Sequence, residues 1–181
     1  MQRFITLVFS TFLLLSLNAA TPETHYTVIV SLDGFRWDYP DMYKTPNLDR
    51  MAADGVKAVM LPSYPASTFP NHYTLATGLV PDHHGIINNT FWDVKNRRQY
   101  SMGDSATRNN PEYYLGEPIW ITAQKQGVKT GNMYWVGSDI AIKKSHPTYY
   151  RPWNAKPFLT FEQRIDTVLT WLQKPEPERP R

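Results

Sequence analysis

The chain contains no cysteine among its 181 residues. Disulfide bonds, thiolate nucleophiles and thiolate metal ligands are therefore excluded. The chain also has no strong excess of charge of one sign, because its 19 lysine and arginine residues are nearly balanced by 16 aspartate and glutamate residues. A scattered formal excess of +3 does not indicate a nucleic acid as a structural partner. What remains is a globular composition, 41% hydrophobic and 14% aromatic, with length for about one domain.

The one long hydrophobic run lies at the N-terminus. Residues 4–17 are almost entirely apolar, Arg3 precedes them, and the small residues 18–20 end the run. This pattern predicts a signal peptide over residues 1–20. The run is shorter than the roughly 20 residues that span a bilayer, so it predicts no stable membrane anchor. We therefore expect an exported protein, periplasmic or secreted, whose mature part is residues 21–181.

Strand and helix patterns alternate along the mature part. Apolar, β-branched runs predict buried strands, and capping residues followed by a terminal glycine predict helices. This alternation predicts an α/β fold with a mainly parallel sheet and helices on both faces. The predicted strands are residues 27–32, 56–61 and 128–134, and the predicted helices are residues 45–55, 67–78, 117–127 and 160–172.

Two segments do not fit this alternation. Residues 88–111 are polar, aromatic and rich in turn residues, and we interpret them as an excursion over the sheet edge. Residues 174–181 combine proline with charge, which is typical of a linker. Because a linker after a capped helix normally leads to another strand, we expect a chain that is truncated at the C-terminus.

Two polar side chains follow the first two predicted strands. Asp33 ends the first strand, and Thr68 follows the second in the segment SYPASTFPNHYTLATG. Because ligands bind at the carboxyl ends of parallel strands, we expect both side chains at one edge of the sheet. Asp33 suits a hard or borderline metal, and a turn aspartate explains it about as well. Thr68 suits a helix N-cap, a phosphate seat, or a nucleophile that a base or metal ion activates.

Three histidines and one asparagine lie near Thr68 in the sequence. His83 and His84 are adjacent and cannot easily direct both rings to one ion, and His72 lies inside a predicted helix. We therefore expect packing or hydrogen-bonding roles for them rather than metal ligation. Asn89 offers a side-chain amide as an oxyanion donor, although an ordinary turn residue is the simpler interpretation.

Four segments carry a resemblance to a known family. In chain order they are VIVSLDGFRWDY, TPNLDRMAADGV, YPASTFPNHYTLATGLVPDHHGIINNTFWD and YWVGSDIAI. Together they resemble the nucleotide pyrophosphatase/phosphodiesterase family (type I phosphodiesterase) of the alkaline phosphatase superfamily. The likeness covers nearly all of residues 26–172 and identifies residues 21–181 as the N-terminal portion of an alkaline phosphatase-like catalytic domain.

The resemblance implies an activity and a cofactor. The activity is zinc-dependent hydrolysis of phosphodiester or pyrophosphate bonds of nucleotides through a phosphothreonine intermediate, with two zinc ions in the site. The implied partners are nucleotides or other small phosphodiesters. Asp33 matches a zinc ligand, Thr68 matches the nucleophile that also contacts zinc, and Asn89 matches the asparagine that holds a phosphate oxygen.

The resemblance also implies a substrate pocket. Phe69 matches an aromatic residue that packs on the nucleobase, and Trp153 lies near the position of an aromatic residue on the other base face. Trp135 and Asp139 match residues that line the nucleotide pocket. The family usually has Trp-Pro-Gly where this chain has Val136 between tryptophan and glycine.

The remaining zinc ligands of the family, including an Asp-x-x-x-His motif, lie downstream of the segment that ends near residue 172. Two alternatives therefore stay open. One is an inactive truncated fragment without the downstream metal ligands. The other is a different phosphohydrolase of the alkaline phosphatase superfamily, such as a phosphomonoesterase or a phosphonate hydrolase.

Overall fold

A computed structural model describes residues 25–181, so the predicted signal peptide lies outside the described residues. Within this part of the chain, no helix has both the length and the apolar composition needed to cross a bilayer. The helices are α1 (Tyr39–Met42), α2 (Pro46–Asp54), α3 (Thr68–Thr77), α4 (Pro81–His84), α5 (Ser105–Arg108), α6 (Ile119–Lys125) and α7 (Phe161–Leu172). The strands are β1 (Thr90–Asp93), β2 (Arg98–Ser101), β3 (Gly131–Met133) and β4 (Tyr149–Arg151), and short 3-10 turns occupy Pro111–Tyr113 and Glu176–Glu178.

The four predicted helices are confirmed as α2, α3, α6 and α7. Their ends follow from local chemistry. α3 ends at Gly78, which takes a left-handed φ of 69° and donates its N–H to the Thr74 carbonyl. At the start of α7, Thr160 Oγ1 accepts the Gln163 N–H and Gln163 Oε1 accepts the Thr160 N–H, which completes the predicted capping box.

Two of the predicted strands do not form. Residues 27–32 and 56–61 belong to no strand in the described structure, and their apolar side chains are exposed, with Val30 at 76% and Leu61 at 87%. An apolar, β-branched run prefers an extended backbone, but a parallel strand also needs neighbours from distant parts of the chain. No described strand pairs with either segment. The third predicted strand is present only as β3, which pairs in parallel with β4.

The segment 88–111 is more regular than expected. β1 and β2 form an antiparallel hairpin, and Phe91 stacks on Tyr100 across it with ring centroids 4.6 Å apart. Asp104 then caps α5 by accepting the Ala106 N–H. The interpretation of residues 88–111 as an excursion over the sheet edge stays a prediction, and the segment itself contains two strands of four residues each.

Residues 174–181 do not behave as a free linker. The Arg181 N–H donates to the Lys129 carbonyl over 2.9 Å, and the Tyr149 hydroxyl donates to the Glu178 carbonyl over 2.9 Å. Pro180 is buried. The segment therefore packs against β4 and the chain before β3, which corrects the linker prediction.

The core is aromatic and lies around α3. The loop after β3 passes close to it, and Gly137 has a φ of 82° where a Cβ would lie 3.2 Å from the Tyr73 ring. The α3 residues therefore sit at the centre of the packed region, and Phe69 in the first turn of α3 belongs to the core. The buried apolar residues are Phe69, Tyr73, Ala76, Ile86, Tyr100, Tyr113, Tyr114, Trp120, Ile121, Val136, Ile140 and Ile142.

Candidate active site

The N-terminus of α3 carries two adjacent hydroxyl groups with different partners. Ser67 is the N-cap residue, so the interpretation of Thr68 as the N-cap was wrong. The Ser67 hydroxyl does not cap the helix and instead donates to Asn88 Oδ1 over 3.0 Å. Thr68 is the first helical residue, and its hydroxyl is directed elsewhere.

Thr68 and Asp33 meet, as the sequence predicted. The Thr68 hydroxyl donates to Asp33 Oδ2 over 3.2 Å, across 35 positions of sequence. Asp33 lies in a tight turn in which the Phe35 N–H donates to the Leu32 carbonyl and Gly34 takes a φ of 71°. The turn interpretation and the site interpretation of Asp33 are therefore compatible, because the turn presents the carboxylate to the hydroxyl.

Asn89 binds the same helix end. Its Oδ1 accepts the Phe69 N–H over 2.9 Å, which satisfies one of the N–H groups that a helix start leaves unpaired. Since an N–H can only donate, Oδ1 is the atom on the helix and Nδ2 is the atom left to donate elsewhere. The Asn89 N–H is held in turn by Asn88 Oδ1 over 2.8 Å. This position is fixed from both sides, which an ordinary turn residue does not need.

Asn71 is a structural residue that the sequence reasoning missed. Its Nδ2 lies within hydrogen-bond distance of the carbonyls of Ser63, Pro65 and Ser67, at 3.3, 3.0 and 3.0 Å. Its Oδ1 accepts the Ser63 N–H over 2.8 Å. Asparagine inside the first turn of a helix is an unfavourable choice, and that was the available signal. Asn71 holds the loop that carries Thr68.

The histidines have the predicted hydrogen-bonding roles at two positions. His72 contacts the Thr68 carbonyl through Nδ1 over 2.8 Å and the Ser31 hydroxyl through Nε2 over 2.9 Å. His84 is fully buried, and burial lowers its pKa against the smaller opposing effect of nearby hydrogen bonds. His83 has a 68% exposed side chain and lies 4.0 Å from the Asp82 carboxylate.

The aromatic residues lie on one side of the α3 start. Phe69 is only 1% exposed, and its ring meets Trp153 edge to face with centroids 5.5 Å apart. Trp153 is half-buried and is the more accessible of the two. Trp135 donates its Nε1–H to the His72 carbonyl over 3.1 Å, so the loop after β3 is attached to the same helix turn.

Asp139 lies behind this aromatic group. Burial raises the pKa of its carboxyl group, and the main-chain N–H of Trp153 and the charge of buried Arg108 act in the opposite direction. The carboxyl group therefore lies near the Trp153 main chain.

The structure thus connects six of the seven predicted site residues through the start of α3, and the seventh, Asp139, lies near the Trp153 main chain. Two of them could hold a cation, because the Asp33 carboxylate and the Thr68 hydroxyl present oxygen atoms 3.2 Å apart. Within residues 25–181, no group of three or more His, Asp or Glu residues could complete a metal site. The seven are Asp33, Thr68, Phe69, Asn89, Trp135, Asp139 and Trp153.

Comparison with known sequences gives one family. The family model "Type I phosphodiesterase / nucleotide pyrophosphatase" matches residues 27–181. The chain is 44% identical to human ectonucleotide pyrophosphatase/phosphodiesterase family member 1 over 161 residues, 87% of this chain and 17% of the relative. It is 43% identical to family member 3 of Bos taurus over 156 residues, 84% of this chain and 18% of the relative. It is 40% identical to venom phosphodiesterase 2 of Crotalus adamanteus, again over 84% of this chain and 19% of the relative.

Comparison with solved structures gives the fold. Murine ectonucleotide pyrophosphatase/phosphodiesterase 5, in an inactive threonine-to-alanine variant bound to AMP, matches with a TM-score of 0.74 and 33% identity. The match covers 83% of this chain and 39% of that one. The human protein matches with the same TM-score of 0.74 and 35% identity, over 83% of this chain and 39% of that one. This likeness confirms the predicted α/β, alkaline phosphatase-like fold class, although the chain spans less than a fifth of its curated relatives.

Proposed function

The chain belongs to the family of type I phosphodiesterases and nucleotide pyrophosphatases, and on that premise we propose that the protein hydrolyses phosphodiester or pyrophosphate bonds of nucleotides. One observation carries the proposal. The Thr68 hydroxyl, at the start of a ten-residue helix, lies 3.2 Å from the Asp33 carboxylate. Two further findings support it, since the matched murine protein is bound to AMP and its inactive form has lost a threonine.

In the proposed reaction Thr68 is the nucleophile. Its Oγ1 forms a bond to phosphorus while the bond from phosphorus to the leaving-group oxygen breaks in line with it, and the hydroxyl proton passes to the leaving-group oxygen. The product on the protein is a phosphothreonine. A water molecule then attacks the same phosphorus, the bond to Thr68 Oγ1 breaks, and nucleoside monophosphate leaves while the hydroxyl recovers its proton. Asp33 orients the Thr68 hydroxyl before the first step, because it accepts its hydrogen bond.

We propose zinc, as two ions, for the cofactor. When bound, zinc would lower the pKa of a coordinated hydroxyl and neutralise charge on the phosphate oxygens. Asp33 and Thr68 would supply this segment's ligands to one ion, since both are oxygen donors on the same site. The described residues 25–181 supply no third His, Asp or Glu in that group, so within this range the proposed ligands are those two side chains.

The phosphate and the base are bound by different parts of the α3 start. Asn89 Nδ2 is free to donate to a nonbridging phosphate oxygen, because Oδ1 is occupied by the Phe69 N–H. The base would lie against the accessible face of Trp153, which Phe69 supports from behind. Stacking of this kind contributes about 1–3 kcal/mol and accepts any base. Trp135 then holds the pocket wall in place through the His72 carbonyl, and Asp139 would line the same pocket.

The test compares two chromogenic esters in the presence of zinc. The chain should release p-nitrophenol from a p-nitrophenyl nucleoside monophosphate diester faster than from p-nitrophenyl phosphate. Thr68→Ala should lower turnover of the diester on the order of 10⁴-fold or more, while Thr68→Ser should keep part of it. Faster turnover of the monoester, or an unaffected Thr68→Ala variant, would reject the proposal and favour a different phosphohydrolase.

A second candidate is an exported chain without activity of its own. One observation favours it, because the described residues contain no complete group of metal ligands. Absence of turnover with both esters supports this candidate, and a zinc titration decides between the two independently. Tight binding of two equivalents of zinc would contradict the inactive chain.

The proposed location is outside the cytoplasm. The curated relatives include ectonucleotide phosphodiesterases and venom enzymes, whose names place them outside the cell. Fractionation of expressing cells should find the protein in the periplasm or the medium, and retention in the cytoplasm would contradict export.

A further inference from the structure

Asp33 reaches Thr68 from a segment that has no buried residue. None of residues 25–62 is buried, so the core does not fix the carboxylate. Three residues of this segment hydrogen-bond to residues 63–181, namely Tyr26, Ser31 and Asp33. Tyr26 meets Arg179, well away in sequence from the site residues. Ser31 is therefore the candidate for fixing Asp33.

The Ser31–His72 and Asp33–Thr68 hydrogen bonds connect the same two segments of the chain. Ser31 precedes Asp33 by two residues, and His72 follows Thr68 by four. Residues four apart on a helix lie on the same side of it, one turn apart. The Ser31–His72 contact of 2.9 Å and the Asp33–Thr68 contact of 3.2 Å therefore join the same short segment at the Leu32–Phe35 turn to the same side of α3.

The protonation of the His72 ring follows from its partners. Nδ1 lies 2.8 Å from the Thr68 carbonyl, which can only accept, so Nδ1 carries the proton. In the neutral ring Nε2 then has a lone pair, and the Ser31 hydroxyl donates to it. His84 is the opposite case, because its Nδ1 accepts the Ile86 N–H over 3.2 Å. Its proton is therefore on Nε2, which contacts Thr74 Oγ1 over 3.0 Å.

Trp135 limits the movement of His72 from a third direction. The two rings meet edge to face with centroids 5.6 Å apart, and the Trp135 indole N–H donates to the His72 carbonyl. His72 is half-buried by this arrangement. Its ring is therefore held by α3, by the loop after β3 and by Ser31.

We propose that His72 is a positioning residue for the nucleophile. In its Nδ1–H form the ring bridges the Thr68 carbonyl and the Ser31 hydroxyl, and it thereby holds the Asp33 carboxylate at hydrogen-bond distance from the Thr68 hydroxyl. The ring touches neither the substrate nor the reacting atoms. The catalytic meaning of this inference rests on the proposed function, whereas the bridge itself is a property of the folded chain.

The first experiment measures the protonation and hydrogen bonding of the His72 ring and does not depend on enzymatic turnover. In nitrogen NMR spectra of chain labelled at histidine, recorded at mildly alkaline pH, His72 should show a protonated Nδ1 and a bare Nε2. His84 should show the reverse pattern and serves as the internal reference. Ser31→Ala should shift the His72 Nε2 resonance and leave both His84 resonances in place. An Nε2–H form of His72, or an unchanged His72 Nε2 resonance in Ser31→Ala, would overturn the proposal.

The second experiment measures how loss of the His72 ring changes the surroundings of the Asp33 carboxylate. Thr68→Val removes the hydroxyl that donates to Asp33 and shows how its carboxyl carbon resonance responds. His72→Leu should move that resonance in the same direction, and His72→Gln, whose amide can still accept from Ser31, should restore part of it. His83→Gln changes an exposed histidine and should leave it unmoved. Ser31→Ala replaces an exposed residue and serves as the second variant should His72→Leu fail to fold.

Kinetics separate this proposal from the proposed function. His72→Leu should lower kcat by on the order of 10–100-fold with little change in KM, because it misplaces the nucleophile and not the substrate. His72→Gln should recover part of kcat, and His83→Gln should match the unchanged chain. Without turnover in the unchanged chain the proposed function fails, and the Asp33 resonance still decides the role of His72. If the Asp33 carboxyl resonance is the same in His72→Leu as in the unchanged chain, the positioning role of His72 is rejected.

Discussion

Residues 25–62 and residues 63–153 supply the two halves of one site in different ways. The first region has no buried residue and presents Asp33 from an exposed turn. The second holds the apolar core and presents Thr68 and Asn89 from a helix start that the core surrounds. Exposed hydrogen bonds contribute about 0.5–1.5 kcal/mol each, far less than a buried aromatic side chain. The nucleophile is therefore held by packing, and its carboxylate partner is held by a few polar contacts.

The largest effect that tests this comparison is on stability. Tyr73 is fully buried, packs edge to face on Tyr114 at 5.3 Å and donates its hydroxyl to the Leu115 carbonyl. Tyr73→Ala should lower the free energy of unfolding by about 3–5 kcal/mol in urea titrations. Val30→Ala, at a 76% exposed position, should change it by less than about 0.5 kcal/mol. Similar losses at both positions would show that residues 25–62 are packed after all.

The next effect concerns the helix start in the packed region. Asn89→Ala removes both the acceptor for the Phe69 N–H and the proposed phosphate donor, and should lower kcat about 10²–10³-fold. Asn89→Asp keeps the acceptor and loses the donor, so it should retain the unfolding midpoint while turnover still falls. Thermal unfolding and steady-state kinetics on both variants check this. Full activity of Asn89→Asp would remove the donor role.

The smallest effect is a pH dependence that compares two neighbouring histidines. Burial lowers the pKa of His84 below its ordinary value of 6.5. At a pH between the lowered pKa of the folded chain and the ordinary value of 6.5, His84 binds a proton in the unfolded chain but not in the folded chain. The free energy of unfolding should therefore fall as the pH falls below 6.5. His84→Gln should weaken this acid dependence in urea midpoints measured over a pH series. His83→Gln, an exposed control, should keep it, and an unchanged slope in His84→Gln would contradict the assignment.

The helices could be predicted because their signals are local. Pro46 at the start of α2, Gly78 after α3 and the Thr160–Gln163 capping box are each complete within a few residues. The proximity of Asp33 and Thr68 was also predictable, but through an expected sheet edge that the described residues do not form. Their contact is made instead by a turn and a helix start.

The hydrogen-bond partners of Asn71 and His72 could not be predicted from the sequence. Each acts on backbone groups or hydroxyls that come close only after folding, as with the Ser31 hydroxyl 41 positions from His72. A capping residue bonds to a group in the adjacent helical turn, so its partner can be predicted from the local sequence. The partner of a polar side chain inside a helix cannot be predicted in this way. The burial of Phe69 to 1% exposure is of the same kind, since it depends on Trp153 and the surrounding core.

The amino-acid sequence by itself determined the family, the helix boundaries and the identity of the candidate nucleophile and carboxylate, because motifs and caps are short-range patterns. The tertiary structure alone decided which atoms meet at the start of α3 and which region is packed. Those outcomes depend on contacts between residues that are distant in sequence, such as Ser31 with His72 and Phe69 with Trp153, and no local pattern encodes their distance.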